Sequence, residues 1–285
     1  MVGNIIALTS ITLESNIKLT GRALARNGAV TMVSIYVKSP TTPTTPTTPT
    51  TPNTPTTPNT PNTPNTPTTP NTPTTPAQQN DYILGNASSY AVLAGSRTTN
   101  DGNTTIFGDL GTFPSKYTDG TECTIISGSK HNGDDYAANA QVSLTKAYTY
   151  LAGLPGAKDY TGTDLVGLTL YPGTYKYTSS AFLSFGILYL DAKQNSTAEW
   201  VFQIGSTLIT SIGAEVRVIN GGSPYNVYWQ VGSSATISHD TIMVGNIVAL
   251  TSITLESNIK LTGRALARNG AVTMVSIYVK SVACQ

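Results

Sequence analysis

Threonine stands between two apolar residues in Leu168-Thr169-Leu170, Ala235-Thr236-Ile237, Ile253-Thr254-Leu255 and Val272-Thr273-Met274. Successive side chains of an extended strand face opposite ways, so the flanking residues turn inward and Thr169, Thr236, Thr254 and Thr273 outward. Stacked at the strand spacing of about 4.7–4.9 Å, they form a ladder of methyl and hydroxyl groups that orders water at a regular interval. Threonine also suits exposed strand positions simply because it is β-branched. Leu188-Tyr189-Leu190 interrupts the ladder, and Lys260, Arg264 and Arg268 on the neighbouring wall carry charges that roughen a flat face.

Catalytic chemistry finds little material here. An enzyme needs convergent titratable groups, and no catalytic residue is assigned. His131 and His239 are single and turn-like, and Asp134-Asp135 reads as a helix N-cap and first turn rather than a carboxylate pair. Asp109 and Asp191 read as turn residues, and the glycines of "INGGSPYN" lack the strand–helix setting of a phosphate loop. Cys123 and Cys284 have no metal-ligand spacing; they form one structural disulfide or remain unpaired or intermolecular thiols. No metal and no cofactor is expected. Asn86, Asn103 and Asn195 head weak N-glycosylation acceptors.

The elements that position the threonines show in the spacing. Thr236, Thr254 and Thr273 are 18 and 19 residues apart, which suits one coil of a β-solenoid better than a hairpin sandwich. Trp229, Val248 and Leu266, 19 and 18 apart, form a second set. Only Asp134–Leu151 breaks the strand pattern. There Ala137, Ala140, Leu144, Ala147, Tyr148 and Leu151 recur at helical spacing until Gly153 and Pro155 stop it, so one long helix lies against the solenoid wall.

Charged residues make up 11% of the 285 residues and the formal net charge is +1, which argues against nucleic acid and against a polybasic membrane contact. No apolar run is long enough for a membrane span. From Pro40 to Pro76 a proline falls at every third position with Thr-Thr or Asn-Thr between, so residues 40–79 read as an extended linker of polyproline II type, with threonines placed to carry O-linked glycans. Residues 1–39 repeat residues 243–281 with one difference, Ile6 against Val248. They read as the last two coils of a preceding or neighbouring solenoid, with Ile11, Leu13, Val30 and Met32 as its inter-domain stacking residues. Met1-Val2-Gly3-Asn4 lacks a secretory signal, but Met1 aligns with Met243, so this start reads as internal to a longer gene.

The segments "ILGNASSYAVLAGS", "TTIFGDLGTFP", "AYTYLAGLPGA", "LTLYPGTYKYTSSAFL", "AEWVFQIGSTL", "NVYWQVGSSATI" and "VGNIVALTSITLESNIKLTGRALARNGAVTM" resemble, in order, the ice-binding-protein-like family of microbial ice-binding and adhesin domains. The resemblance covers Asp81 to about Ile277 and implies a mainly β protein: an irregular right-handed β-solenoid of triangular section with one long α-helix alongside, over residues 80–285. Together these readings lead first to an extracellular, cell-surface tandem-repeat protein, a structural filament or adhesin whose partners are neighbouring copies of itself. The alternative is an antifreeze protein whose partner is ice, adsorbed through the outward threonine ladder.

Overall fold

Each pass of the chain lays a strand parallel to the strand of the pass before. Along one wall, the pairings advance by 27 residues from Ala181 to Leu208 and again to Ala235, then by 18 to Ile253 and 19 to Val272. Parallel pairing at every step, with no hairpin needed, is what a coiled chain produces. The computed structural model describes residues 2–7, 11–13, 18–25, 30–32, 36–38, 81–121 and 124–281. Cys123, Cys284 and the linker fall outside them, as do the side chains of Ile11, Leu13, Val30 and Met32.

The chain divides into two units, Met1–Pro70 and Asn71–Gln285. In the second, three walls of parallel strands enclose the core. A seven-stranded sheet orders its strands as 118–119, 98–101, 272–275, 253–255, 235–237, 208–210 and 181–183. The chain thus enters near one end of the stack and leaves for the other, and its last coil returns to lie against its first, with Val272 paired to Thr98. The helix Asp135–Ala152 occurs between these two passages. At about 1.5 Å per residue it is roughly 27 Å long, close to the roughly 29 Å of six strand intervals, so it carries the chain back along the stack.

The other two walls meet at a glycine corner. Ile242–Ala249 pairs with Lys260–Ala267 along its whole length, but its first residues continue a wall that includes Ile187–Asp191 and Glu215–Ile219, and its later residues continue one that includes Trp200–Ile204 and Val227–Val231. The bend falls at Gly245 and Gly263, with φ of 104° and 147°, and a β-carbon on Gly263 would collide with the Gly245 carbonyl oxygen. Only glycine turns this corner without strain.

The helix packs on the second of these walls. Asp134 caps it, accepting from Ala137 N at 2.9 Å, and Ala140, Leu144, Ala147 and Leu151 bury against Leu93, Val201, Tyr228, Val248 and Leu266. Gln203 Nε2 donates to the carbonyls of Leu151 and Leu154 at 2.8 and 2.9 Å, satisfying the helix's C-terminal end. Trp229 does not share the row of Val248 and Leu266. It pairs with Ile247, points into the core and stacks on Phe202 at 4.1 Å, while Gln230 pairs with Val248. Both coils advance by 18 residues on this wall, so the 19-residue step from Trp229 to Val248 is one residue out of register, and a one-residue slip reverses the face.

In the first unit, Val2–Ala7 pairs with Lys18–Ala25, and Lys18–Ala25 with Tyr36–Lys38, while Ile11–Leu13 pairs with Val30–Met32. The partners Val2 and Thr20, Ile11 and Val30, and Lys18 and Tyr36 repeat the register of Val244 and Thr262, Ile253 and Val272, and Lys260 and Tyr278.

Candidate functional site

The seven-stranded wall presents three outward rows. Its central row runs Asp119, Thr99, Thr273, Thr254, Thr236, Ile209, Phe182, each paired with the next. The flanking positions face inward, and Ala235, Ile237, Ile253, Leu255, Val272 and Met274 are all essentially without solvent exposure. Burying such aliphatic side chains at about 1.5–3 kcal/mol each holds the register, so the threonines cannot turn inward without moving the core. Thr99 Oγ1 lies 3.2 Å from Thr273 Oγ1. Two residues before the central row, Ser180, Thr207, Ser234 and Ser252 add a second line of hydroxyls, with Ser180 and Thr207 joined at 2.7 Å. Two residues after it stand Ser184, Ser211 and Ser238.

The charges of this wall lie at one end and on the rows beside the centre: Asp119 ends the central row, Arg97 and Asp101 flank Thr99, and Glu256 follows Thr254 by two residues. Arg97 and Asp119 form an ion pair at one end. On one long edge Glu256 accepts from His239 N at 3.2 Å, and its Oε2 lies 3.3 Å from His239 Nε2. The cations expected to roughen the wall are elsewhere. Lys260 is on another wall, paired to Tyr278. Arg264 is 3% exposed and donates to Ser88 O and to Asn246 Oδ1. Arg268 lies 5.1 Å from the Tyr148 ring on the helix side. Apart from Asp119 at its end, the central row is hydroxyl, methyl and hydrocarbon at strand spacing.

Thr169 is not part of it. It pairs with Tyr189, which pairs with Arg217, on the wall that carries Glu215, Lys260 and Lys280. An apolar–Thr–apolar triplet states that the threonine faces out, but not which wall it faces out from. Thr99, Ile209 and Phe182 were missed. Ile209 and Phe182 lie in the 27-residue coils, where the 18–19 period fails, and Thr99 reaches Thr273 only because the first coil stacks on the last.

The titratable residues hold structure. His131 Nδ1 lies 2.8 Å from Asp134 Oδ2, beside the helix cap. Asp109 Oδ1 accepts from Ser129 N at 2.8 Å. Asp191 Oδ1 accepts from Asn220 Nδ2 and Lys193 N, and these bonds hold its carboxyl below the usual range. Among the described residues no group of three or more His, Cys, Asp or Glu could hold a metal ion.

The fold is a parallel solenoid with a side helix and one hydroxyl-rich wall. Residues 92–280 match the family described as ice-binding-like, and the chain belongs to that family. An ice-binding protein of Nostoc sp. (strain HG1) is 48% identical over 193 residues, covering 67% of this chain and 71% of that one. Two crystal structures are similar. One is an ice-binding protein from an Antarctic biological consortium (TM-score 0.67, 42% identity, 69% of this chain and 89% of that one). The other is an ice-binding protein from the Antarctic ascomycete Antarctomyces psychrotrophicus (TM-score 0.67, 35% identity, 70% and 97%). These relatives overturn the first expectation, a structural filament or adhesin joined to copies of itself. They are ice-binding proteins, and the cations that weighed against a flat face are buried or on other walls.

Proposed function

We propose that residues 80–285 bind ice, and that the contact is the seven-stranded wall with Thr99, Thr273, Thr254 and Thr236 at its centre. The single observation carrying this reading is the unbroken row of these four threonines in strand register, continued by Ile209 and Phe182. An ice surface is a lattice of water that is already hydrogen-bonded. A protein face adsorbs to it only if its own hydration is weak and its groups repeat regularly, since each contact is worth little and many must form together. Methyl groups and hydroxyls on a sheet fixed by a packed core satisfy both conditions. Thr236, Thr254 and Thr273 are the ladder; Thr169 stands outside it.

This reading is of a binding protein, not an enzyme, acting outside the cell where ice forms. It takes the solenoid to be right-handed and triangular in section, with residues 40–79 a linker and residues 1–39 the terminal coils of a preceding or neighbouring solenoid. The test is growth of a single ice crystal in solutions of the purified chain at micromolar concentration. Faceting and arrest of growth below the melting point support the reading; a crystal that grows as in buffer refutes it.

A further inference from the structure

Residues 243–281 fill a slot in the stack. One border is made by Val227–Val231 and Ala235–Ile237, through Gln230 paired to Val248 and Thr236 to Thr254. The other is made by Tyr90–Ala94, Thr98–Asp101 and Thr104–Phe107, through Leu93 paired to Leu266, Thr99 to Thr273 and Ile106 to Val279. Polar side chains of the occupant reach both borders. Asn246 Nδ2 donates to the carbonyls of Tyr225 and Val227, and Arg264 bridges Asn246 Oδ1 to the Ser88 carbonyl. An empty slot would expose two unpaired strand edges and an apolar interior.

Everything this occupant supplies is written a second time in the chain. Gly3 and Gly21 correspond to the corner residues Gly245 and Gly263, and Asn4 and Arg22 to Asn246 and Arg264. Ile11, Leu13, Val30 and Met32 correspond to Ile253, Leu255, Val272 and Met274, which are fully buried. The one difference, Ile6 for Val248, keeps a β-branched side chain and adds one methylene at a buried position facing the helix. The described strands Val2–Ala7, Ile11–Leu13, Lys18–Ala25, Val30–Met32 and Tyr36–Lys38 pair in the register that the slot requires.

We infer that residues 1–38 are a second occupant of this slot, able to complete the solenoid of residues 81–242 in place of residues 243–281. The result is a circularly permuted form of the same domain, and the inference rests on residues 1–39 being solenoid coils. Residues 39–80 then join the occupant to Asp81. At up to about 3.1 Å per residue they span far more than the roughly 29 Å of the stack. The resident copy is favoured because it continues directly from Ile242, whereas the N-terminal copy acts at the effective concentration its connection allows.

The experiment uses the full chain with Leu255→Asp, which disables the resident copy, and with Leu13→Asp added. The readouts are the thermal unfolding transition, molecular mass in solution and the sites of first tryptic cleavage. Leu255→Asp alone is expected to stay monomeric and cooperative, with cleavage shifted to Lys260, Arg264 and Arg268 and away from Lys18, Arg22 and Arg26. The double variant is expected to lose the transition. If Leu255→Asp unfolds like the double variant, folds only as a dimer, or if the double variant stays folded, the inference is overturned. Val248→Ile writes the N-terminal sequence into the slot and separates the two ideas. If it folds while Leu255→Asp does not, the segment forms coils but does not exchange; if it fails to fold, the segment does not form these coils.

Discussion

Thr254 sits at the middle of the central row, between Thr236 and Thr273, with its side chain partly exposed. Replacing it by tyrosine leaves the core untouched, because Ile253 and Leu255 carry the burial at that rung. The ring and its hydroxyl reach roughly 4 Å farther than the threonine, a few extra bonds of about 1.5 Å each. That exceeds one water–water hydrogen-bond length of about 2.7–2.8 Å. At strand spacing the prop lifts the lattice from the rungs on either side as well. Three rungs at roughly 0.5–1.5 kcal/mol of net hydrogen bonding each remove about 1.5–4.5 kcal/mol, a ten- to thousandfold weaker adsorption at about 1.4 kcal/mol per decade. Stability should change by no more than about 0.5 kcal/mol, as for other surface positions. The assay is thermal hysteresis against concentration, with melting followed in parallel. Thr169→Tyr, on the other wall, is the internal control and should leave hysteresis unchanged. Full activity in Thr254→Tyr, or an equal loss in Thr169→Tyr, would refute the placement of the face.

Three further outcomes test the fold that supports this face. Leu144→Ala empties a fully buried position under the helix and should cost about 2–5 kcal/mol, read as a lower denaturant midpoint. Gly263→Ala places a β-carbon on the Gly245 carbonyl at the corner and should prevent soluble folding, read by expression and circular dichroism. Burial, and then the neighbouring Tyr160, pushes the Tyr175 hydroxyl up to about 12. In the unfolded chain a tyrosine loses its proton near 10. Because the folded value is the higher, its contribution is complete below pH 10 and lost as pH rises from about 10 to 12, so alkaline titration should unfold the protein across that window while stability stays level from pH 7 to 9.

The last three coils were readable because they keep nearly equal length, so Thr236, Thr254 and Thr273 announce themselves by spacing. The helix was readable because its period changes from two to 3.6, and Asp134 and Gly153 stand at its ends. What alternation cannot say is which wall a strand belongs to, and for that reason Thr169 was grouped with residues it never meets. Nor can it show that the first coil closes on the last. Thr99 and Thr273 are 174 residues apart, and only the return of the chain along the helix brings them into register. Arg264 read as an exposed charge because one of its partners, the Ser88 carbonyl, is backbone and leaves no mark in the side-chain pattern.

The most direct measurement of the central claim is partition of the fluorescently labelled chain into a slowly growing ice hemisphere, compared with a Thr236→Lys/Thr254→Lys/Thr273→Lys variant of equal thermal stability. Three ammonium groups on the central row bring their own hydration to the face and should abolish its fit to ice. Incorporation of the parent chain along defined crystal planes, with the variant left in the liquid, is the expected result. Exclusion of both proteins, or equal incorporation of both, would contradict the assignment of ice binding to this wall.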